Sequence, residues 1–235
     1  MRYCSFFLVL VLALAGCGPK VQVKKENSSL EELMATWEAL AAVPFEEMKF
    51  AEASIVAGMM ASMGPDGLDP LLDKLGGAEV EPKVKILAMS SLVPVLHPGL
   101  EPRLLALTEP DLEITTRACA TELLGDLDSA LARERMLDLA SDPERRVQLA
   151  ALSALLKHGR MKDFELVAAF WKAAEATHQE HVRLLQALPD GFAETYPEIY
   201  EEALLDERMP VPLRKHAAGL LGRYGTGASV AALET

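Results

Sequence analysis

The sequence predicts an all-α fold, an α-solenoid of stacked antiparallel helical hairpins, and three observations carry that prediction. First, half of the 235 residues are apolar and only 6% aromatic, with Ala and Leu dominant, the profile of a packed helical protein. Second, Val147, Ala150, Ala151, Ala154 and Leu155 stand at offsets 0, 3, 4, 7 and 8, which sets one apolar stripe along a helix. Third, that stripe recurs about every thirty-odd residues, with helix-start signals between copies. A two-helix hairpin cannot bury its stripe alone, whereas neighbours stacked on both sides can.

The chain opens with a targeting signature over 1–16: Arg2 supplies the positive start, residues 6–14 an apolar run, and Ala15-Gly16 the small residues before Cys17. The run is shorter than the roughly 20 residues a membrane span needs. Leu14-Ala15-Gly16-Cys17 resembles the lipobox of bacterial lipoproteins. That resemblance implies cleavage before Cys17, a diacylglyceryl thioether on its sulfur and an acylated new N-terminus, with more than one acyl chain and so stable anchoring. Gly18 is not the Asp associated with inner-membrane retention, so the expected location is the bacterial cell envelope, at the outer membrane facing the periplasm. Residues 17–28, with Lys20, Lys24 and Lys25, form a polar tether. Cys4 leaves with the leader and Cys17 is the anchor, so Cys119 is left alone and no internal disulfide is expected. The net charge of −12 argues against nucleic acid as a partner.

Residues 29–66 are expected to form an atypical first hairpin. Ser29 with Glu32 is a capping-box signature opening a helix over 30–42, and a second helix over 46–63 ends at Gly64-Pro65-Asp66-Gly67. The array proper is expected over 67–235. Its second helices align at Val84, Thr116, Val147 and Leu213, with one further unit at Val182, and first helices precede them at 67–75, 100–108, 129–140, 163–176 and 194–205. The best-defined unit runs from 141 to 159: Asp142 as N-cap, Pro143 at the first helical position, Gly159 as the stop.

Here the chain resembles HEAT-repeat proteins. The residues that carry the likeness are a basic side chain one place into the stripe (Lys85, Arg117, Arg183, Arg214), a small residue at offset 4 (Ala88, Ala120, Ala151, Ala217) and Gly at offset 9 (Gly125, Gly222). The pairs Glu81-Pro82, Glu109-Pro110 and Asp142-Pro143 open the second helices. Gln148 replaces the basic residue in the best unit, and Pro189 should end the Val182 helix early, since an interior proline costs about 3 kcal/mol. The basic residues are expected to form a ladder of surface hydrogen bonds with the acidic loops, worth about 0–1 kcal/mol each.

No catalytic residue, metal site or cofactor is expected. His178, Glu180 and His181 match neither a zincin nor a thiolate spacing and read as a surface cluster between helices. Some HEAT-like proteins are iron hydroxylases with His-Glu dipeptide ligands, and none occurs here. His97 and His158 fall at helix ends, His216 reads as a half-buried packing residue, and Cys119 as an inert core thiol. Gly219, Gly222, Gly225 and Gly227 lack the Lys-Ser pair of a phosphate loop and read as packing and cap residues. The surface singled out for partner binding spans 194–207: Glu194, Glu198, Glu201, Glu202, Asp206 and Glu207, six acids with no base between them, beside Tyr196 and Tyr200, with Trp171 as an anchor if exposed. It predicts a protein partner with a basic face. The function expected is therefore a membrane-anchored protein-binding scaffold or adaptor. The alternatives are a HEAT-like lyase or hydrolase, which needs a deep pocket at His178 and His181, and a purely structural envelope lipoprotein.

Overall fold

The structure, a computed structural model, describes residues 28–158, 163–173 and 176–225. The leader, Cys17, the tether up to residue 27, Gly159 and Gly227 lie outside the described residues. Among the described residues the fold is all-α, with no strand.

Ser29 caps α1 (Leu30–Ala41) through the full box, its hydroxyl accepting from the Glu32 amide and the Glu32 carboxylate accepting from the Ser29 amide. The second helix of this hairpin is shorter than expected: a 3₁₀ turn at Phe45–Glu47 precedes α2 (Phe50–Ala61). Then follow α3 (Asp69–Gly76), α4 (Pro82–Leu92), α5 (Glu101–Ala106), α6 (Ile114–Leu124), α7 (Ala130–Leu139), α8 (Arg145–Lys157), α9 (Phe164–Lys172), α10 (His178–Ala187), the short α11 (Phe192–Thr195), α12 (Pro197–Leu205) and α13 (Val211–Tyr224). Hairpin partners pack as α1 on α2, α3 on α4, α5 on α6, α7 on α8 and α12 on α13. The second helices also touch in series, α2 on α4, α4 on α6, α6 on α8, α8 on α10 and α10 on α13.

Helix α8 sits mid-series, against α6, α7, α9 and α10. Its predicted stripe is buried, and so are Leu149, Leu152 and Leu156, because neighbours cover it on more than one side. The four offset-4 alanines are all fully buried, which lets successive helices approach closely. Gly125 is the closest approach: a Cβ there would stand 2.4 Å from Ala154 Cβ and 3.0 Å from Ala154 Cα. Among the described residues a Cβ on Gly222 would meet nothing within 4 Å, so the same motif position carries no such packing demand there. We expect Gly125→Ala to cost about 1–3 kcal/mol by forcing α6 off α8. Gly222→Ala should instead stabilise by about 0.5–1 kcal/mol, since glycine weakens a helix interior. Thermal unfolding of the two variants checks the opposite signs.

Two of the three acid-proline pairs do not open helices. Glu81 and Pro82 do start α4. Helix α6 is instead capped by Glu113, whose carboxylate accepts from the Thr115 and Thr116 amides, and Glu109-Pro110 lie in the preceding turn. Helix α8 starts after Glu144; Asp142 accepts from the Glu144 amide at 2.9 Å through Oδ1 and from Arg117 of α6 through Oδ2. Pro189 does end α10, at Ala187. The helix expected over 194–205 is broken at Tyr196, where Pro197 restarts it as α12.

Candidate functional site

The predicted basic ladder is present in part: Lys85 and Arg117 lie inside the molecule, whereas the Arg183 side chain is at the surface. Lys85 is 1% exposed, donating to Glu113 Oε2 at 3.0 Å and Thr116 Oγ1 at 2.6 Å. Arg117 is 4% exposed and pairs with Asp142, itself buried. Gln148, in the basic residue's place, donates to the Ala140 carbonyl at 2.8 Å, and Arg183 pairs with Glu122. Further pairs join successive hairpins: Arg133 to Asp163, Arg103 to Asp69 and Asp73, Lys157 to Asp126. Several bonds span about one sequence period, 31 residues for Lys85–Thr116, Arg146–Thr115, Lys157–Asp126 and Trp171–Glu202 and 30 for Arg133–Asp163, whereas Arg117–Asp142 spans 25 and Arg183–Glu122 spans 61.

Burial alone would raise the Glu113 carboxyl. Hydrogen bonds from Thr115, the Lys85 ammonium and the Thr116 amide outweigh it and hold the pKa down, from 4.5 to about 2. A depressed carboxylate contributes stability above its unfolded value and loses it as pH falls through the folded one. The Glu113 contribution is thus expected to be full above pH 4.5 and lost towards pH 2. Glu113→Gln should flatten that part of an acid-unfolding profile read by circular dichroism.

The acidic stretch is positioned by α9, α10 and α12. Thr177 and Glu180 cap α10 reciprocally, and Glu180 also receives Arg145, whose guanidinium lies 4.2 Å from the Phe170 ring centre. Burial raises the Glu180 pKa, but the Thr177 and Arg145 hydrogen bonds win and lower it. His178 meets Asp206 at 3.2 Å. His181 stacks on Trp171 at 4.2 Å between ring centres, and its Nε2 lies 3.1 Å from the Trp171 carbonyl, so Nε2 carries the proton. The Trp171 indole donates to Glu202 at 2.7 Å, and Lys172 pairs with Glu198 at 3.0 Å. Asp206 also accepts from Arg208, chiefly for which reason its carboxyl is held down at about 2.

These contacts correct several expectations. Trp171 is 3% exposed and Tyr200 fully buried, packed with Phe192 and Tyr196, so neither Trp171 nor Tyr200 can anchor a partner on this face. Glu198, Glu202 and Asp206 are turned back onto α9 and α10. Glu194 and Glu207 are exposed, while Glu201 and Tyr196 are half-buried. His178, Glu180 and His181 form the first turn of α10, not a loop. His216 is exposed, 4.0 Å from Asp190. His97 caps the 3₁₀ turn Pro98–Leu100, accepting from the Gly99 amide, whereas His158 sits at the C-terminal end of α8 as predicted. Gly225 caps α13.

Cys119 lies on the α6 stripe, and burial pushes its thiol up to about 12. A buried, protonated thiol is a poor nucleophile, so native protein should not be alkylated at Cys119 until unfolded, read by peptide mass mapping.

Among the described residues no group of three His, Cys, Asp or Glu is placed to hold a metal ion. Two open hollows among the described residues, about 330 Å³ beside Ser129 and Arg133 and about 440 Å³ beside Trp37 and Lys74, do not touch His178 or His181. No described helix is long and apolar enough to cross a membrane. No family model matches the chain, and no curated protein sequence does. Sequence reasoning missed the burial of Lys85 and Arg117; for Lys85 the signal available was Thr116, one period further on.

Proposed function

We propose that the chain is a stack of HEAT-like helical hairpins, lipid-anchored at Cys17, that holds a protein partner in the bacterial cell envelope. The observation that carries this reading is the one-period spacing of its inter-helix bonds, 30 or 31 residues from Arg133 to Asp163 and from Trp171 to Glu202. Bonds of that spacing tie successive hairpins together from α4 to α12. Repetition of this kind builds extended faces, and extended faces suit macromolecular partners more than small substrates.

The lipobox supports the location, and the exposed Glu194 on α11 and Glu207 just past α12 support the recognition face. Two measurements test the reading. Intact mass of the full-length protein from envelope membranes should show an acyl modification that Cys17→Ser removes. Affinity capture with crosslinking should return a reproducible protein partner, lost on charge reversal at Glu194 and Glu207. An unmodified N-terminus overturns the anchor, and no reproducible partner overturns the scaffold.

A further inference from the structure

Helix α2 is apolar all round, with Glu52 its single charged residue. Ala53, Val56, Ala57 and Met60 take the inner side and are fully buried, and α1 and α4 pack on the helix. Ala51, Ile55, Met59 and Ser62 follow at offsets 0, 4, 8 and 11 on the opposite side, which is exposed or half-buried. A helix that faces water carries polar residues along its outer stripe, whereas one that is apolar all round belongs in a core or against lipid. The face extends past the helix. Ile55 is 59% exposed, and Phe45, Met63 and Val93 are each close to half exposed. Phe45 meets Phe50 edge-on at 5.8 Å between ring centres, and Val93 opens the 3₁₀ turn Val93–Val95, which packs on α2.

Where the anchor joins the chain decides what lies opposite this face. Cys17 stands eleven residues before Ser28, the first described residue, and a chain of that length reaches at most about 40 Å. The first hairpin is thus the unit that an acylated Cys17 holds nearest the bilayer, and a contact too weak to form from solution becomes an intramolecular one. We propose that the outer face of α2, with Phe45, Met63 and Val93, rests on the membrane surface, its apolar side chains entering just below the headgroups. The inference rests on the lipid anchor proposed above and adds to it how the array stands on the bilayer.

Other occupants fit this face less well. The tether left after cleavage, residues 18–27, has only Pro19, Val21 and Val23 to offer an apolar surface. Residues 29–63 carry Glu31, Glu32, Glu38, Glu46, Glu47 and Glu52 against the single base Lys49, so a second copy set here about a twofold axis brings an acidic hairpin onto itself. To a charged protein the outer stripe offers only Glu52, which already pairs with Lys49 at 3.5 Å. The same acids repel an anionic surface, so the lipid that fits is zwitterionic.

The test uses the full-length protein from envelope membranes, reconstituted into vesicles of phosphatidylethanolamine and phosphatidylcholine, with benzoylphenylalanine in place of Ile55. Illumination should give a protein–phospholipid adduct, read by intact mass and mapped to α2. The same group in place of Leu131 on α7, as exposed at 60%, is the control for unspecific contact and should give little adduct. With the group moved to Phe45, Ile55→Glu together with Met63→Glu should cut the adduct about tenfold, a loss of about 1.4 kcal/mol. The melting temperature of that variant should hold, since both side chains face outward. An intact mass without acyl groups overturns the anchor and this docking with it. An acylated chain with no lipid adduct at position 55 overturns the docking alone. So do equal adducts at 55 and 131, adducts to residues 18–27, a covalent dimer through α2, or a yield unchanged by the two glutamates.

Discussion

Asp142→Ala is expected to destabilise the protein by about 3–5 kcal/mol, the range for stranding one partner of a buried ion pair. Both members are out of water, Arg117 at 4% and Asp142 at 7% side-chain exposure. Arg117 has one further acceptor, the Thr108 carbonyl at 3.4 Å from Nε, a long contact that cannot replace a carboxylate. Removing the whole pair is different. Arg117→Met with Asp142→Leu takes away the desolvated charges together, and such replacements are often neutral or stabilising. Urea unfolding of Arg117→Met, of Asp142→Leu and of the double variant gives the coupling. The pair is acting as described if the double variant is more stable than Asp142→Ala. A double variant as damaged as both singles together would mean that the sites act independently.

That pair also marks where the sequence stopped being legible. The apolar periodicity located nearly every helix, because it reports burial directly: Leu87, Ala88 and Leu92 in α4, or Val147, Ala150 and Leu155 in α8, are buried as their spacing required. Polar residues were harder, since one carboxylate can serve several donors. Asp142 before a proline reads locally as a cap, and only the folded chain brings Arg117 within its reach. Glu109-Pro110 reads the same way, while the amides of α6 take Glu113.

The candidate face failed for a related reason. Tyr200 sits among acids in sequence, yet on a helix its direction follows Ile199 and Ala203 into the core. Trp171 was legible as an anchor only if exposed, and its indole instead meets Glu202 one period on. The glycines at offset 9 looked equivalent, but Gly125 packs against Ala154 of α8, whereas among the described residues nothing lies within 4 Å of a Cβ on Gly222. Sequence repeats report the unit; they do not say which copy lies at an end.

Trp37→Ala is expected to cost about 3–5 kcal/mol as well, and where that cost falls separates a stack from a single closed core. Trp37 is fully buried in α1, and its indole donates to Ser91 Oγ of α4 at 3.0 Å. The hydroxyl keeps its own acceptor, the Leu87 carbonyl at 2.7 Å, so the loss is chiefly volume and packing rather than a stranded polar group. Trp37→Phe should accordingly recover most of it. In a stack each unit is held by its neighbours, so a cavity at the first hairpin should loosen α1 and α2 first. Hydrogen exchange should then show protection lost there and retained in α6 and α8, which sit mid-series. Trp171 becomes the only indole in this variant, so its fluorescence follows the far end of the chain independently. An indole transition at Trp171 that lags the loss of helix at α1 is the behaviour of stacked hairpins. Equal loss of protection from α1 through α13, with one coincident transition, is the behaviour of one cooperative core, and it would remove the physical ground for an extended binding face.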